Sequence, residues 1–446
     1  MMRWRARQRQ SAGVRYHDPD WWLFAILLTL VMFGTVMIFS ATFPETVGDA
    51  GLSQYSGLIR QIIYVLVGAA GLLIAMQVDY HRYARWAVHA MAAVLLVLAA
   101  LVFIPGVGTE VYGAKAWIFI GPISIQPSEV AKLVMILYMA AWFAGKGGKV
   151  RSVSSGLAQF CVVMGLLIGL LMLEPDLGTA SLVATIGVAM FFVAGAAPVQ
   201  FAGLLIVGAI GFLTMALSAS YRRDRLLLFL NPDSDLQDLG WQLYQARLAL
   251  GSGGLFGVGL GASRQKFSWL PAAHNDAIFA VIGEELGLIG CAVVVGLFVA
   301  LGYHGYRIAM RAPDTFGTLV AVGITTWLVF QAAYNIGGVT LAIPFTGIPL
   351  PFISAGGSSL VVAMTATGIL LNISRQTLSE AEMRPRVVAT AQPVVAEAAA
   401  PVPQPRRPHP APARYRRTPR PTSVARGPIE TRPQRAQERE WSEPWE

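Results

Sequence analysis

The sequence predicts an all-α integral membrane protein with ten transmembrane helices and a long extracytoplasmic loop between helices 7 and 8. Three observations carry that prediction. Of 446 residues, 55% are hydrophobic and only 13% charged, about half the charged share of a soluble domain. Ten mostly apolar runs come close to the ~20 residues that a helix needs to cross the hydrocarbon core. Lysine and arginine are also unevenly placed. With the N-terminus inside, thirteen short-loop cations between Arg3 and Arg375 fall on the inner side, against Arg60 and Lys115 on the outer side, and such a bias sets orientation. Both termini are therefore expected in the cytoplasm.

The runs lie at 21–40, 59–78, 84–104, 127–144, 157–173, 177–197, 200–220, 277–303, 316–334 and 355–374. The first is too long for a signal peptide, and no small-residue cleavage site follows it. Residues 1–20 then form a basic cytoplasmic N-terminus, 21–375 the membrane domain with its large outer loop at 221–275, and 376–446 a tail. From Met383 onward the chain holds 13 of the 26 prolines, and from Arg384 twelve arginines face six glutamates. Such a segment buries too little apolar surface to offset chain entropy and is expected to be disordered. Its arginines suit the anionic lipids of an inner leaflet. It accounts for +6 of the net charge of +9, so no nucleic-acid-binding surface remains. Cys161 and Cys291 sit in apolar runs and form neither a disulfide framework nor a metal-ligand spacing. The 221–275 loop carries Arg222, Arg223, Arg225, Arg247, Arg264 and Lys266. Long loops are translocated largely regardless of charge, so these cations need another explanation.

Ionisable groups at membrane depth are functional candidates by default, and here they gather toward the outer face. Gln126-Pro-Ser-Glu129 opens the fourth span. Helix initiation explains Pro127 and Glu129, but not Lys132 one turn deeper on the same face. Glu174-Pro-Asp176-Leu-Gly178 reads as a tight turn with an acid at a helix start, or as an acid reaching Lys132. In His274-Asn-Asp276, Asn275 or Asp276 could be only an N-cap. Alternatively, Asp276 is a carboxylate facing a cavity. Glu284 and Glu285 follow about 12–14 Å deeper; Glu284 lies about 80° around the helix from Asp276 and Glu285 about 180°. Only Glu284 is thus expected to share a cavity with Asp276. Gly283 and Gly287 read as a helix-packing pair.

The run Gly251-Ser-Gly-Gly-Leu-Phe-Gly257-Val-Gly259-Leu-Gly261 lacks the strand–helix context of a nucleotide loop. It fits better as a loop bringing backbone amides, Arg264 and Lys266 to an anion, as a diphosphate requires. Its alternative is a mobile loop with incidental cations. Trp117, after Lys115, suits an interfacial anchor. The segment from Ile343 to Ser358 is apolar, uncharged and broken by Pro344, Pro349 and Pro351. It is expected to be re-entrant or interfacial, with its backbone satisfied by protein.

Together these motifs resemble the SEDS family (shape, elongation, division and sporulation) of bacterial ten-helix membrane proteins. The resemblance runs through the Trp117 loop with Gln126-Pro-Ser-Glu129, Glu174-Pro-Asp-Leu-Gly178, and Ser263-Arg-Gln-Lys266. It continues through His274-Asn-Asp276, Gly283-Glu-Glu-Leu-Gly287 and Ser354-Ala-Gly-Gly-Ser-Ser359. It covers roughly 20–375, and Ser263-Arg-Gln-Lys266 with Gly283-Glu-Glu is more similar to the division branch than to the elongation branch. Two positions depart from the family pattern: Asn275-Asp276-Ala277 in place of Thr-Asp-Phe, and Ala355 in place of Tyr.

The resemblance implies a peptidoglycan glycosyltransferase of the bacterial cytoplasmic membrane that polymerises lipid II at the outer face. It implies a class B penicillin-binding protein and other division proteins as partners. Asp276 matches the family's essential acid, and Trp117, Glu129, Lys132 and Asp176 match positions around the outer cavity. Lipid II is α-linked and the new bond is β-1,4, so one inverting displacement suffices. Asp276 would take the proton of the attacking hydroxyl, while Arg264, Lys266 and Lys115 would hold the departing diphosphate. His274, Glu284 and Ser358 are placed with them at the substrate. A divalent cation, Mg or Mn, would share that neutralisation, although no dedicated ligand set is visible. The 343–352 segment would help form a groove for the lipid tail. Two rivals stand beside this reading: a lipid II flippase, and a non-catalytic division scaffold acting through its tail.

Overall fold

The computed structural model describes residues 17–43, 55–105, 108–111, 114–120, 123–218, 220–231, 238–267, 269–271 and 273–377. Most of the basic N-terminus and nearly all of the 376–446 tail lie outside them. Among the described residues, nine helices are long and apolar enough to cross a membrane, and a tenth, Leu177–Val193, is apolar but only 17 residues long. The spans are α1 (Trp21–Thr42), α2 (Ser56–Gln77), α3 (His81–Phe103), α4 (Pro127–Lys146), α5 (Ala158–Leu173), α6 (Leu177–Val193) and α7 (Pro198–Ser218). Two shorter helices of the long loop follow, α8 (Ser220–Leu230) and α9 (Asp238–Ser252). The last spans are α10 (Ile278–Arg311), α11 (Thr315–Val339) and α12 (Gly357–Ser374). All ten apolar runs of the sequence are thus helical. The expected outer loop at 221–275 contains two helices of its own.

One departure from all-α is a small antiparallel sheet between α3 and α4, with strands β1 (Thr109–Val111), β2 (Ala114–Ile120) and β3 (Ile123–Ile125) in that order. Thr109 pairs with Trp117, and Ile118 with Ile125. The alternating pattern Ala-Lys-Ala-Trp-Ile-Phe-Ile suits a strand, but it is short and sits beside long apolar runs.

Helix starts follow local chemistry. Asp20, Asp176 and Asp314 cap α1, α6 and α11 by accepting from the backbone N–H groups of Leu23, Thr179 and Gly317 at 2.8–3.0 Å, the usual remedy for orphan donors at a helix start. Small residues let the spans approach closely; a Cβ on Gly368 of α12 would lie 2.4 Å from the Leu72 carbonyl oxygen of α2. Helices α11 and α12 form the centre, and α11 buries Thr325, Thr326, Gln331 and Asn335 together with Trp327.

The chain is pinned at the end away from Asp276. Tyr80 donates its hydroxyl proton to Asp314, His81 lies between Asp79 (2.8 Å) and Asp314 (3.3 Å), and Asn372 joins the backbones of Tyr80 and Met76. Two connections and the end of α12 are held there, which leaves the other end to carry the irregular segments.

Helix α10 breaks at Gly287, whose φ of 67° and ψ of −164° are not helical. The consequence can be traced bond by bond. The N–H groups of Leu288 and Ile289, which in an unbroken helix would bond to the carbonyls of Glu284 and Glu285, donate instead to Gly254 and Leu255. Those two released carbonyls accept from Val258 and Gly259. The glycine-rich loop is therefore spliced into the helix. This corrects the expectation that its amides face an anion, because amides at its centre are committed to α10. A Cβ on Gly287 would lie 2.4 Å from the Gly257 nitrogen, so this glycine answers both to its left-handed φ and to the close backbone approach.

Candidate functional site

The polar centre is assembled by α4, the α5–α6 turn, the start of α10, and α11. Lys132 is fully buried; its ammonium donates to Glu129 Oε1 at 2.8 Å and to Gln331 Oε1 at 3.0 Å, and forms an ion pair with Glu129 Oε2 at 2.8 Å. It also lies 5.1 Å from the Trp327 ring centroid. A buried charge persists only when paired and hydrogen-bonded, and this ammonium has both a carboxylate partner and two hydrogen bonds. Gln331 Oε1 additionally accepts from the Trp327 indole N–H at 2.6 Å, and its Nε2 donates to the Pro349 carbonyl at 2.9 Å. One amide thus ties α4 to the proline-broken segment. The i,i+3 pair expected from the sequence is present, while Gln331 was not singled out there.

Asn335 lies one turn further along α11, on the same face. Its Nδ2 donates to the backbone carbonyls of Asp276 (2.9 Å) and Ile348 (2.8 Å). Ser354 Oγ donates to the Asn275 carbonyl at 2.8 Å, and the Ala355 N–H to that of His274 at 3.0 Å. The strap from His274 to Asp276 is thereby held by its backbone, leaving the Asp276 carboxylate for other work. The N-cap alternative does not apply to Asp276, because the N-cap residue of α10 is Ala277 and no side chain caps it.

Asp276 is partly exposed, but its Oδ1 is sealed from solvent and has no hydrogen-bond partner among the described residues. Across from it, Gly347 takes φ +69°; a Cβ there would lie 3.6 Å from Asp276 Oδ2 and 3.7 Å from Arg225 Nη1. Arg225, from α8, also donates to the Thr346 carbonyl at 3.4 Å. Burial pushes the Asp276 carboxyl up to about 7, with Arg225 pulling it down and Asp176 adding to the rise. Desolvation therefore wins over the nearby cation.

Asp176 accepts from the Thr179 N–H at 2.8 Å as the cap of α6. Its carboxyl is raised by burial, opposed by its hydrogen bonds and by Lys132 and reinforced by Glu129. The helix-start reading of this acid therefore holds; Lys132 acts on it through space, with no ion pair between the two among the described residues. Glu174 is 2% exposed and has no hydrogen-bond partner for either oxygen among the described residues. Burial, then Asp176, raises it to about 8. Glu129, Glu174, Asp176 and Asp276 with Lys132 and Arg225 thus bound one electrostatic neighbourhood. Arg225 is its informative newcomer. The sequence marked Arg225 only as one of several unexplained loop cations, because its partner lies 51 residues away.

Two expected site residues are placed elsewhere. Lys266 is 4% exposed, its ammonium bonded to Glu285 Oε1 at 2.8 Å and to Ser40 Oγ at 2.9 Å. It is an anchor between the long loop, α10 and α1, not a cation open to a diphosphate. Glu284 does not share a cavity with Asp276. Its carboxylate accepts from Ser263 Oγ and from the backbone N–H groups of Arg264 (2.9 Å) and Gln265 (3.4 Å). It organises the Ser263–Lys266 turn. Helical angle alone missed this because the break at Gly287 brings the loop onto that face. The proline-broken segment also differs from a lipid groove: Phe345, Ile348, Leu350, Phe352 and Ile353 are buried in the core.

The remaining residues are placed as follows. The Arg264 side chain is exposed, Trp117 is half-buried on β2, and Lys115 lies on the same strand with its side chain outside the described residues. Ser358 Oγ accepts from the Gln126 N–H at 3.2 Å, joining α12 to the start of α4. His274 lines a hollow beside α2. Among the described residues no three His, Cys, Asp or Glu side chains converge as metal ligands. The side chains described do not fit a dedicated divalent-cation site, and no step is assigned to one.

Among the described residues, ten apolar helices gather a strap and a proline-broken segment around buried acids, which defines a polytopic membrane protein with a polar cluster at one end. The FtsW/RodA/SpoVE cell cycle protein family matches residues 20–379. The probable peptidoglycan glycosyltransferase FtsW of Trichlorobacter lovleyi is 41% identical over 81% of this chain and 94% of its own. The stage V sporulation protein E of Bacillus subtilis is 41% identical over 80% and 97%. Among solved structures, Thermus thermophilus RodA superposes with a TM-score of 0.60 at 28% identity, covering 81% of this chain and 98% of that one. A chain from work on a peptidoglycan synthase complex coordinating polymerization and crosslinking gives 0.65 at 28%, covering 81% and 99%. The chain belongs to this family, the SEDS proteins, and lies nearer to FtsW than to RodA.

Proposed function

We propose that this protein is a peptidoglycan glycosyltransferase that polymerises lipid II at the outer face of the bacterial cytoplasmic membrane, in cell division. Asp276 is the base. The hydroxyl at C4 of one sugar attacks C1 of the other, and its proton passes to the Asp276 carboxylate. The C1–oxygen bond to the diphosphate breaks with inversion, and the diphosphate leaves with the bonding electrons. A diphosphate is a good leaving group, so no second carboxylic acid is needed. Arg225, with Arg264 and Lys115 from the flanking segments, offsets its charge. Glu129, Lys132 and Asp176 belong to the same buried polar cluster and shape its field.

The observation that carries this reading is the Asp276 carboxylate: held by its backbone, excused from capping, and near neutral in its proton affinity. A base poised near working pH is the efficient choice. The cation excess on the opposite side supports cytoplasmic termini. A class B penicillin-binding protein is the proposed partner, as the kinship with a peptidoglycan synthase complex supports.

The test is polymerisation of purified lipid II by the full chain in detergent, alone and with candidate partners. Glycan strands are expected from wild type and are absent from Asp276→Ala at unchanged melting temperature. Strands from the mutant would remove Asp276 as base. A flippase makes no polymer in detergent, where there is no bilayer to cross.

A further inference from the structure

Two residues before Asp276, His274 lines a hollow of about 200 Å³ between the facing ends of α1 and α2 and the start of α12. Ile38, Thr42, Arg60, Gln61 and Gly357 are among its other walls, whereas Asp276, Arg225 and Lys132 are not. No acid lines it.

Its walls share one electrostatic character. Arg60 is exposed, with no hydrogen-bond or ion-pair partner among the described residues. Gln61 is only 3% exposed, yet its Nε2 has no partner among them; a buried amide left unpaired calls for an explanation. Helix α12 starts at this wall without a side-chain cap, its N-cap being Gly356, so first-turn N–H groups and the positive end of the helix dipole are available. A guanidinium, a buried carboxamide NH2 and an uncapped helix start all donate, and none carries negative charge. A tetrahedral oxyanion satisfies all three together. The hollow lies where two membrane-spanning helices end, the level at which lipid headgroups sit.

We propose that this hollow binds the phosphate-bearing headgroup of a membrane lipid, with Arg60, Gln61 Nε2 and the start of α12 as its donors. The assignment is independent of the role given to Asp276. Such a headgroup belongs either to a polyprenyl diphosphate or to an anionic phospholipid. The first would make the hollow a second seat for a lipid-linked sugar, separated from Asp276 by two residues of one strap. The second would make it a bilayer anchor.

Native mass spectrometry of the full chain in detergent distinguishes these sources, with undecaprenyl diphosphate and phosphatidylglycerol titrated separately. For at least one lipid, a saturable adduct of wild type is expected to weaken about tenfold or more in Arg60→Ala, the scale of a lost charge-assisted hydrogen bond. Gln61→Leu should weaken it too, Gln61→Glu should abolish it by charge repulsion, and Arg60→Lys should restore most of it. The fold-loss caused by Arg60→Ala should be the same in an Asp276→Asn background, which separates this site from the polar cluster. The lipid showing the pattern identifies the source. If neither lipid's affinity responds to Arg60→Ala and Gln61→Leu, in proteins melting as wild type does, the proposal is overturned.

Discussion

Arg225 and Asp276 meet across Gly347, where a single methyl group would come within 3.6 Å of the carboxylate and 3.7 Å of the guanidinium. Cation, acid and missing side chain form one unit, and each part can be tested separately.

The acid comes first. With Asp276 held at about 7 and required as a base in its ionised form, kcat/KM for lipid II polymerisation should climb as pH rises toward about 7 and then level off. Arg225→Met removes a cation that favours the ionised form, so the rising limb should move to higher pH. A pH series from 5 to 9 on both proteins reads this directly, and coincident profiles would separate Arg225 from the carboxylate.

The same shift bears on stability. The folded carboxyl binds its proton more tightly than an unfolded aspartate at 3.8, so this group's contribution is full below about 4 and declines as pH rises to about 7. Asp276→Asn removes that decline. Its melting temperature should exceed that of wild type at pH 8 and the two should converge at pH 4. Thermal melts at both values provide the comparison.

Gly347→Ala adds a Cβ at a left-handed φ of 69°, a strain of roughly 1–2 kcal/mol, and places it between Arg225 and Asp276. Polymerisation should fall by more than tenfold, with only a modest loss of melting temperature. Equal losses of activity and folded protein would reduce the position to one of backbone strain.

Glu129 and Lys132 are a buried pair, so removing one partner leaves an uncompensated charge costing about 3–5 kcal/mol. Lys132→Met and Glu129→Gln should each melt well below wild type. The double variant should regain much of that stability while remaining slow on lipid II, because the polar cluster has lost its lysine. Melting temperatures set against initial rates separate fold from function.

Lys266 supplies the contrasting case. Its ammonium is committed to Glu285 and Ser40, so Lys266→Met should destabilise by leaving Glu285 buried alone. Lys266→Met with Glu285→Leu should recover stability and keep kcat/KM per folded molecule near wild type. A persistent loss of rate in the double variant would return Lys266 to the diphosphate.

What the sequence disclosed and what it withheld follow from the range of each interaction. Spans are local: twenty apolar residues announce themselves, and Lys132 is legible because its partner is three residues away. Asp276 was marked by type and position, but the hold on its strap comes from Asn335, 59 residues off, and from Ser354, 79 residues from the Asn275 carbonyl it binds. Lys266 and Glu284 look alike in sequence to any cation and acid near a membrane boundary. Only the pairing of Lys266 with α1, and the folding of the glycine loop onto α10, reveal that both are structural. The 109–125 sheet was hidden for a different reason, since three short strands carry little periodic signal.

The splice at Gly287 has a mechanical corollary. Four hydrogen bonds that a continuous helix would have kept or never made are shared with residues 254–259. The opening stretch of α10 is thus stitched to the extramembrane loop as firmly as to its own lower half. A force applied to that loop from outside, by a docking protein for instance, would be delivered to the stub that begins beside Asp276, with the glycine acting as a fulcrum.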